Sequence, residues 1–291
     1  MGARTRELGI RCDPTERDTL YLAGDVLDGH GLKAEREARR TLGFEVDFLA
    51  RHDLKERYGL HCPAALLSHG DFTVDPRRLT AGYLRAALAN GARLHTPVEV
   101  TGADPHRGGI IVDTATGPTI RAHYAIFATG YEVPKFGPRD RHRIVSTYAI
   151  ATRSQRRRLW PQEALIWEAS DPYLYMRTTA DGGVVRGGED EDFSDDKARD
   201  ALIGKKAAAI GRKLLHLFPQ LDVTPEFAWA GAFGTTATGL PRIGRIPGRK
   251  NCWAVLGFGG NGITCSRIAA DIIRVALAGK SDPDADLYAF R

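Results

Sequence analysis

Six residues toward the end of the chain, Gly257-Phe258-Gly259-Gly260-Asn261-Gly262, carry the spacing G-x-G-x-x-G. Glycines so placed let the backbone turn tightly and come close to a ligand. Between a strand and a helix, such a loop also aims free N–H groups and the positive end of the helix dipole at an anion. The flanks predict that arrangement, with Cys252 to Leu256 as an apolar strand and Ile263 to Ala278 as a helix stopped by Gly279. A complete dinucleotide-binding unit needs a further parallel strand after its helix, with an acidic residue to hold a ribose. The segment after Ala278 reads SDPDADLYAF, with proline and aspartates where a buried strand is required. An ordinary NAD-binding unit is therefore the weakest reading. Contact between the loop backbone and a phosphate, a carbonyl oxygen or a delocalised anion is the favoured one, and a purely structural turn competes with it. A second match, Gly29-His30-Gly31-Leu32-Lys33-Ala34, is set apart from the preceding strand by Asp25 to Asp28, and reads as a loop before an exposed helix.

Glycine is the outlier of the composition, at 32 of 291 residues, or about 11% against ~7% in ordinary proteins. The other values are those of a globular chain, 43% hydrophobic and 26% charged. Forty-one Lys and Arg against 36 Asp and Glu leave a formal charge of +5. The densest basic run, Arg153 to Arg158, reads as a solvated loop, so no nucleic-acid partner is expected. Cys12, Cys62, Cys252 and Cys265 form no C-x-x-C pair, which predicts no metal site and reduced thiols in a cytoplasmic protein. The first twenty residues lack the apolar core of a secretory signal, and no run approaches eighteen apolar residues, so no membrane association is expected.

The elements that must position the loop follow from periodicity. Thr19 to Ala23 predicts a strand, Leu32 to Leu42 a charged helix, and Leu54 to Tyr58 a short one. Asp75-Pro76 opens a helix that ends at Gly91. Arg93 to Val100 predicts a strand, and Gly109 to Val112 with Thr119 to His123 a hairpin. Tyr124 to Ala128 is continuously apolar, as in a strand buried on both faces, and runs into Thr129-Gly130. Four short strands between Val145 and Gly188 predict an antiparallel sheet, and Asp195 to Phe218 a single charged helix.

In order along the chain, Ala128-Thr129-Gly130-Tyr131, Gly239-Leu240-Pro241-Arg242-Ile243-Gly244 and GFGGNGIT entering the last helix, together with the Asp75-Pro76 helix and Pro97-Val98-Glu99-Val100, resemble the D-amino-acid oxidase, glycine oxidase and sarcosine oxidase family of FAD-dependent oxidoreductases. The resemblance implies a mixed α/β fold in which an FAD/NAD(P)-binding Rossmann-like domain is interleaved with an antiparallel-sheet substrate domain. It divides the chain into residues 1–72 and 141–232 for the substrate domain, and 73–140 and 233–291 for the FAD-binding domain. By the same resemblance Val98, Thr129 and Gly130 contact the adenosine side of FAD. Gly257, Phe258, Gly259, Gly260, Asn261, Gly262, Ile263 and Thr264 face the flavin ring and ribityl chain. The implied reaction oxidises the C–N bond of a small amine or amino acid, with hydride transfer to flavin and reoxidation by oxygen.

Two departures from the family pattern shape these expectations. The N-terminal βαβ unit with its own G-x-G-x-x-G is not present in the sequence, so the nucleotide fold is expected to be incomplete at that end. A truncated, non-catalytic fragment unable to hold FAD alone is the alternative reading. At the position of the carboxylate-clamping arginine of glycine oxidase-like members stands Phe233, and no cysteine occupies the neighbouring positions used for covalent flavin attachment, so FAD is expected to be noncovalent. Tyr173 matches a substrate-facing tyrosine. Tyr175 and Arg177 share its strand face by the period of two, and Arg177 is the candidate replacement for the missing charge, while tyrosines that only pack a sheet beside an exposed arginine are the competing reading.

Overall fold

The computed structural model describes residues 2–133 and 143–290. Its elements in chain order are α1 (Gly2–Glu7), β1 (Thr15–Leu22), α2 (Gly29–Thr41), β2 (Val46–Ala50), α3 (Arg51–Tyr58), β3 (Ala64–Thr73), α4 (Pro76–Ala89), β4 (Val100–His106), β5 (Gly109–Thr114), β6 (Ile120–Ala122) and β7 (Ala125–Phe127). There follow β8 (Arg143–Thr152), β9 (Leu165–Glu168), β10 (Tyr175–Thr178), β11 (Val184–Glu191), α5 (Asp196–Ala201), α6 (Ile203–Leu217), β12 (Pro225–Thr235), β13 (Arg242–Arg245), β14 (Cys252–Leu256), α7 (Gly262–Leu277) and α8 (Ala285–Tyr288). The chain separates into two compact units, Met1–Ile10 with Arg78–Val145 and Ala232–Arg291, and Arg11–Arg77 with Ser146–Gly231. The first ten residues thus group with the α4 segment. Among the described residues no helix is long and apolar enough to cross a membrane.

The first unit holds two three-stranded sheets, β13-β14-β7 and β4-β5-β6. In the former, β13 and β14 are antiparallel while β14 and β7 are parallel, with Trp253 opposite Ile126. All five residues of β14 are buried. Trp253 and Val255 pack with Ile272 and Ile273 of α7, and Ala254 and Leu256 cluster with Ala103 and Ile110 from β4 and β5. The neighbouring β7 is covered less fully than its apolar sequence suggested. Only Phe127 is buried, while Tyr124 and Ile126 are each 48% exposed. The strand stands at the sheet edge, and among the described residues it pairs with β14 alone.

The second unit is organised on an eight-stranded sheet of order β12-β8-β11-β10-β9-β1-β3-β2. Its pairings β8–β11, β11–β10, β10–β9, β1–β3 and β3–β2 are antiparallel, as expected, but β1 meets β9 in parallel register, with Leu20 opposite Ile166. One sheet face carries the core. Leu20, Leu22, Leu67 and Ile166 meet Leu214 and Phe218 of the α6 segment, and Phe218 stacks on Trp160 at 4.7 Å. Burying one such leucine contributes roughly 1.5–3 kcal/mol, so this face is the main source of the unit's stability.

Several local expectations are corrected. Residues 93–99 are irregular and the strand begins only at Val100, because Pro97 has no N–H to give to a ladder. The single helix expected over 195–218 is two helices, α5 and α6. Leu202 closes the first by donating its N–H to the Arg199 and Asp200 carbonyls. The prelude before β1 contains α1. The G-x-G-x-x-A match lies within the first turns of α2, where the Asp28 carboxylate caps the His30 and Gly31 N–H groups at 3.0 and 2.8 Å. After α7 the chain forms the short helix α8.

Candidate functional site

Because β7 and β14 run in parallel, their C-terminal ends leave the sheet on the same side. Thr129-Gly130 follows one and Gly257–Gly262 the other, so two glycine-containing turns emerge together. Ligands of open α/β sheets bind at such carboxyl ends. The turns are tied directly. The Tyr131 hydroxyl donates to the Gly259 carbonyl at 2.8 Å, and its ring lies against Phe258 with centroids 4.9 Å apart. Burial pushes the Tyr131 phenol above its ordinary value, helped by the nearby Cys265 thiol, so the phenol stays a neutral donor at physiological pH.

The second turn is shaped by backbone. Gly259 has φ +51 with nothing within 4 Å of where a Cβ would stand, and its N–H donates to the Gly234 carbonyl at 3.0 Å. The open space matters because a ligand can lie flat against bare peptide. α7 then starts at Gly262 with Asn261 in the cap position and no side-chain cap. The first N–H groups of a helix have no intrahelical acceptor. Here those groups belong to Gly262, Ile263 and Thr264, and Asn261, Ile263 and Thr264 are exposed. In the first turn, Thr129 donates its hydroxyl to the Glu132 carbonyl at 2.5 Å, and Glu132 N–H returns a bond to the Thr129 carbonyl at 3.3 Å. The Thr129 hydroxyl is therefore spent on the turn. Val98 lies in the irregular segment before β4, 46% exposed, with no hydrogen bond or ring contact to either turn among the described residues.

The remaining candidates fall elsewhere. Phe233 is a half-buried residue of β12 within the first unit. Tyr173, Tyr175 and Arg177 belong to the second unit, Tyr173 just before β10 and the other two in it. The Tyr173 and Tyr175 rings are 5.9 Å apart. Tyr175 lies over Gly187 of β11 so closely that a methyl there would collide with the phenol. This is the sheet face opposite the leucine core, and it continues through Trp167 to Tyr21, whose rings stack at 4.1 Å. Sequence reasoning missed Asp190, which acts on Tyr175 electrostatically. Burial pushes the Tyr175 phenol up, reinforced by the Asp190 charge, and burial likewise raises the Asp190 carboxyl, with the Thr147 hydroxyl and Lys206 opposing. The run Glu189-Asp190-Glu191 at the end of an apolar strand was the available signal.

The comparisons bear on this geometry. The family model described as FAD dependent oxidoreductase, DAO, matches residues 2–274. The chain belongs to the DAO family. A curated relative, the gamma-glutamylputrescine oxidoreductase of Escherichia coli (strain K12), is 28% identical over 251 residues, which are 82% of this chain and 54% of that protein. The chain thus spans about half the length of the curated relative it matches. Among solved structures, glycine oxidase from Geobacillus kaustophilus superposes with a TM-score of 0.86 at 22% identity, over all of this chain and 80% of its own. The L-proline dehydrogenase from P. horikoshii does so with a TM-score of 0.80 at 19% identity, over 99% and 79%. These likenesses establish the mixed α/β fold of the DAO oxidoreductases, whose members are FAD-dependent.

The residues present fit a flavin in one respect that the structure itself supplies. The open cradle at Gly259 and the uncapped start of α7 offer unfilled space and unspent N–H donors side by side.

Proposed function

We propose that this chain is a cytoplasmic, FAD-dependent oxidoreductase that oxidises the C–N bond of a small amine or amino acid, with oxygen as the final acceptor and the flavin held noncovalently. The observation that carries this reading is the convergence of Thr129-Gly130 and Gly257 to Thr264 at the C-terminal ends of two parallel strands. FAD, when bound, supplies the hydride acceptor. The backbone N–H groups of Gly262, Ile263 and Thr264 orient its electron-rich groups through hydrogen bonds and the α7 dipole. Tyr131 fixes the shape of the cradle, and Tyr173 and Tyr175 form an aromatic wall for the substrate. Arg177 is assigned the substrate's anionic group, since Phe233 offers none. Residues 73–140 and 233–291 are assigned to cofactor binding, and 1–72 and 141–232 to substrate binding. The four buried free cysteines accord with a reducing compartment.

The test is direct. The purified chain is expected to carry, or to take up from solution, a flavin that denaturation releases as free FAD. It is also expected to produce peroxide with a subset of gamma-glutamyl amines, glycine derivatives and proline. A colourless protein that takes up no FAD overturns the reading. That outcome supports the second one, a non-catalytic fragment, which is favoured by the single pairing of β7 in a three-stranded sheet among the described residues.

A further inference from the structure

On the core-facing side of the eight-stranded sheet, opposite Tyr175, the second unit has an open cleft of about 430 Å³ lined by Asp25, Glu168, Ser170, Arg186, Arg212 and His216, among others. At roughly 30 Å³ per water, it has room for a small metabolite. Its most unusual wall is Arg186, in the middle of β11 and 1% exposed. Its register partners are Met176 and Ile150, both buried apolar residues. All three guanidinium nitrogens, Nε, Nη1 and Nη2, are buried without a hydrogen-bond partner. A guanidinium has five N–H donors, and burial of a cation is tolerated when acceptors satisfy it. Burial lowers this group to about 10, with Glu168 and Glu189 pulling the other way, so it is a cation at neutral pH.

The protein's own carboxylates are committed or unsuited. Glu189 is held by Lys213 at 2.5 Å and Lys206 at 3.9 Å. Burial raises the Glu168 carboxyl, against Arg186 and Lys213, toward its neutral form. Asp25 accepts the Asp171 N–H at 3.0 Å and donates its own N–H to Ser170 Oγ at 3.2 Å, which fixes the loops after β1 and β9 around the cleft. Arg212, Lys213 and His216, all exposed on α6, add cationic or titratable groups at the rim.

We propose that this cleft is a binding site for the oxyanion group of a small ligand, a carboxylate or a phosphate, which accepts the Arg186 N–H fork. The fork geometry suits a planar or tetrahedral oxyanion. Asp25 and Asp171 on the walls favour a ligand that also carries a positive group, so the carboxylate of a zwitterion is preferred over a bare phosphate. The site stands apart from the aromatic face assigned to the amine substrate, since Arg186 and Tyr175 point to opposite faces of one sheet.

Isothermal titration of the whole chain at constant ionic strength, with 4-aminobutyrate in one arm and inorganic phosphate in the other, tests this. Saturable one-site binding is expected in at least one arm, stronger for 4-aminobutyrate, and at least ~10-fold weaker in Arg186→Met, as loss of a charge-assisted pair demands. Arg212→Gln, an exposed rim change that leaves the core intact, is expected to weaken binding about threefold, and serves where Arg186→Met fails to fold. Stronger binding of phosphate identifies the source as a phosphate group. Absence of saturable binding in both arms, or binding unchanged in the folded variants, overturns the proposal.

Discussion

The glycine turns of the first unit and the Arg186 cleft of the second suit ligands by opposite means. At the turns, recognition is written in backbone: an open cradle at Gly259, uncapped N–H groups at the start of α7, and one tyrosine as a brace. In the cleft it is written in side chains drawn from β9, β11, α6 and the loop after β1. Backbone donors survive every substitution but proline and carry only partial charge, which suits an extended, delocalised group. Side chains concentrate full charges, which suits a compact ion but leaves a cost when the partner is absent.

The difference can be broken or sharpened experimentally. The largest effect is expected from Gly259→Val, which forces a β-branched residue into left-handed backbone. The conformational cost of roughly 1–2 kcal/mol or more is expected to lower FAD affinity about tenfold in a fluorescence titration. Thr264→Ala, a side-chain change at the same helix start, is expected to alter it less than about twofold. Equal losses in both would show that side chains govern the turns too. Tyr131→Phe keeps the ring on Phe258 and removes the bond to the Gly259 carbonyl. About 1 kcal/mol, or a roughly fivefold weaker FAD affinity, is the expected result, and an unchanged affinity would dismiss the brace.

The smallest effect concerns Asp190, whose carboxyl burial holds above its ordinary value. The folded state then binds this proton more tightly than the unfolded chain does. Its stabilising share is present in acid and is lost as pH rises from the ordinary aspartate value near ~3.9 through the raised folded one. Asp190→Asn is expected to raise Tm at pH 7 by up to ~3 °C, with the gain vanishing at about pH 4. A gain of equal size at both pH values would show that charge is not its cause.

Legibility in the sequence followed the same division. The strand, turn and helix from Cys252 to Leu277 could be read because glycine spacing, an apolar run and a C-terminal Gly279 each leave a local mark. The parallel pairing of β7 with β14, which makes those turns meet, joins residues more than a hundred positions apart and leaves no local mark. The half-covered state of β7 was hidden for a related reason, since apolar residues predict burial only where something exists to cover them. Arg186 left one trace, a lone cation in Val184-Val185-Arg186-Gly187-Gly188. Periodicity assigns it to the core face, but the residues that surround it lie in three distant segments.

The parallel pairing of β1 with β9 bears on how the chain is made. Thr19 and Leu165 must find each other across 146 positions, and the first unit likewise gathers pieces from both ends of the chain. Contacts of such separation bring their closure entropy due before their reward. On the ribosome, neither unit can complete itself while its later segment is still unsynthesised, so β1, β3 and β2 wait with an open edge through the synthesis of more than ninety further residues. An edge left open for that interval is the kind of surface on which partly made chains pair with one another.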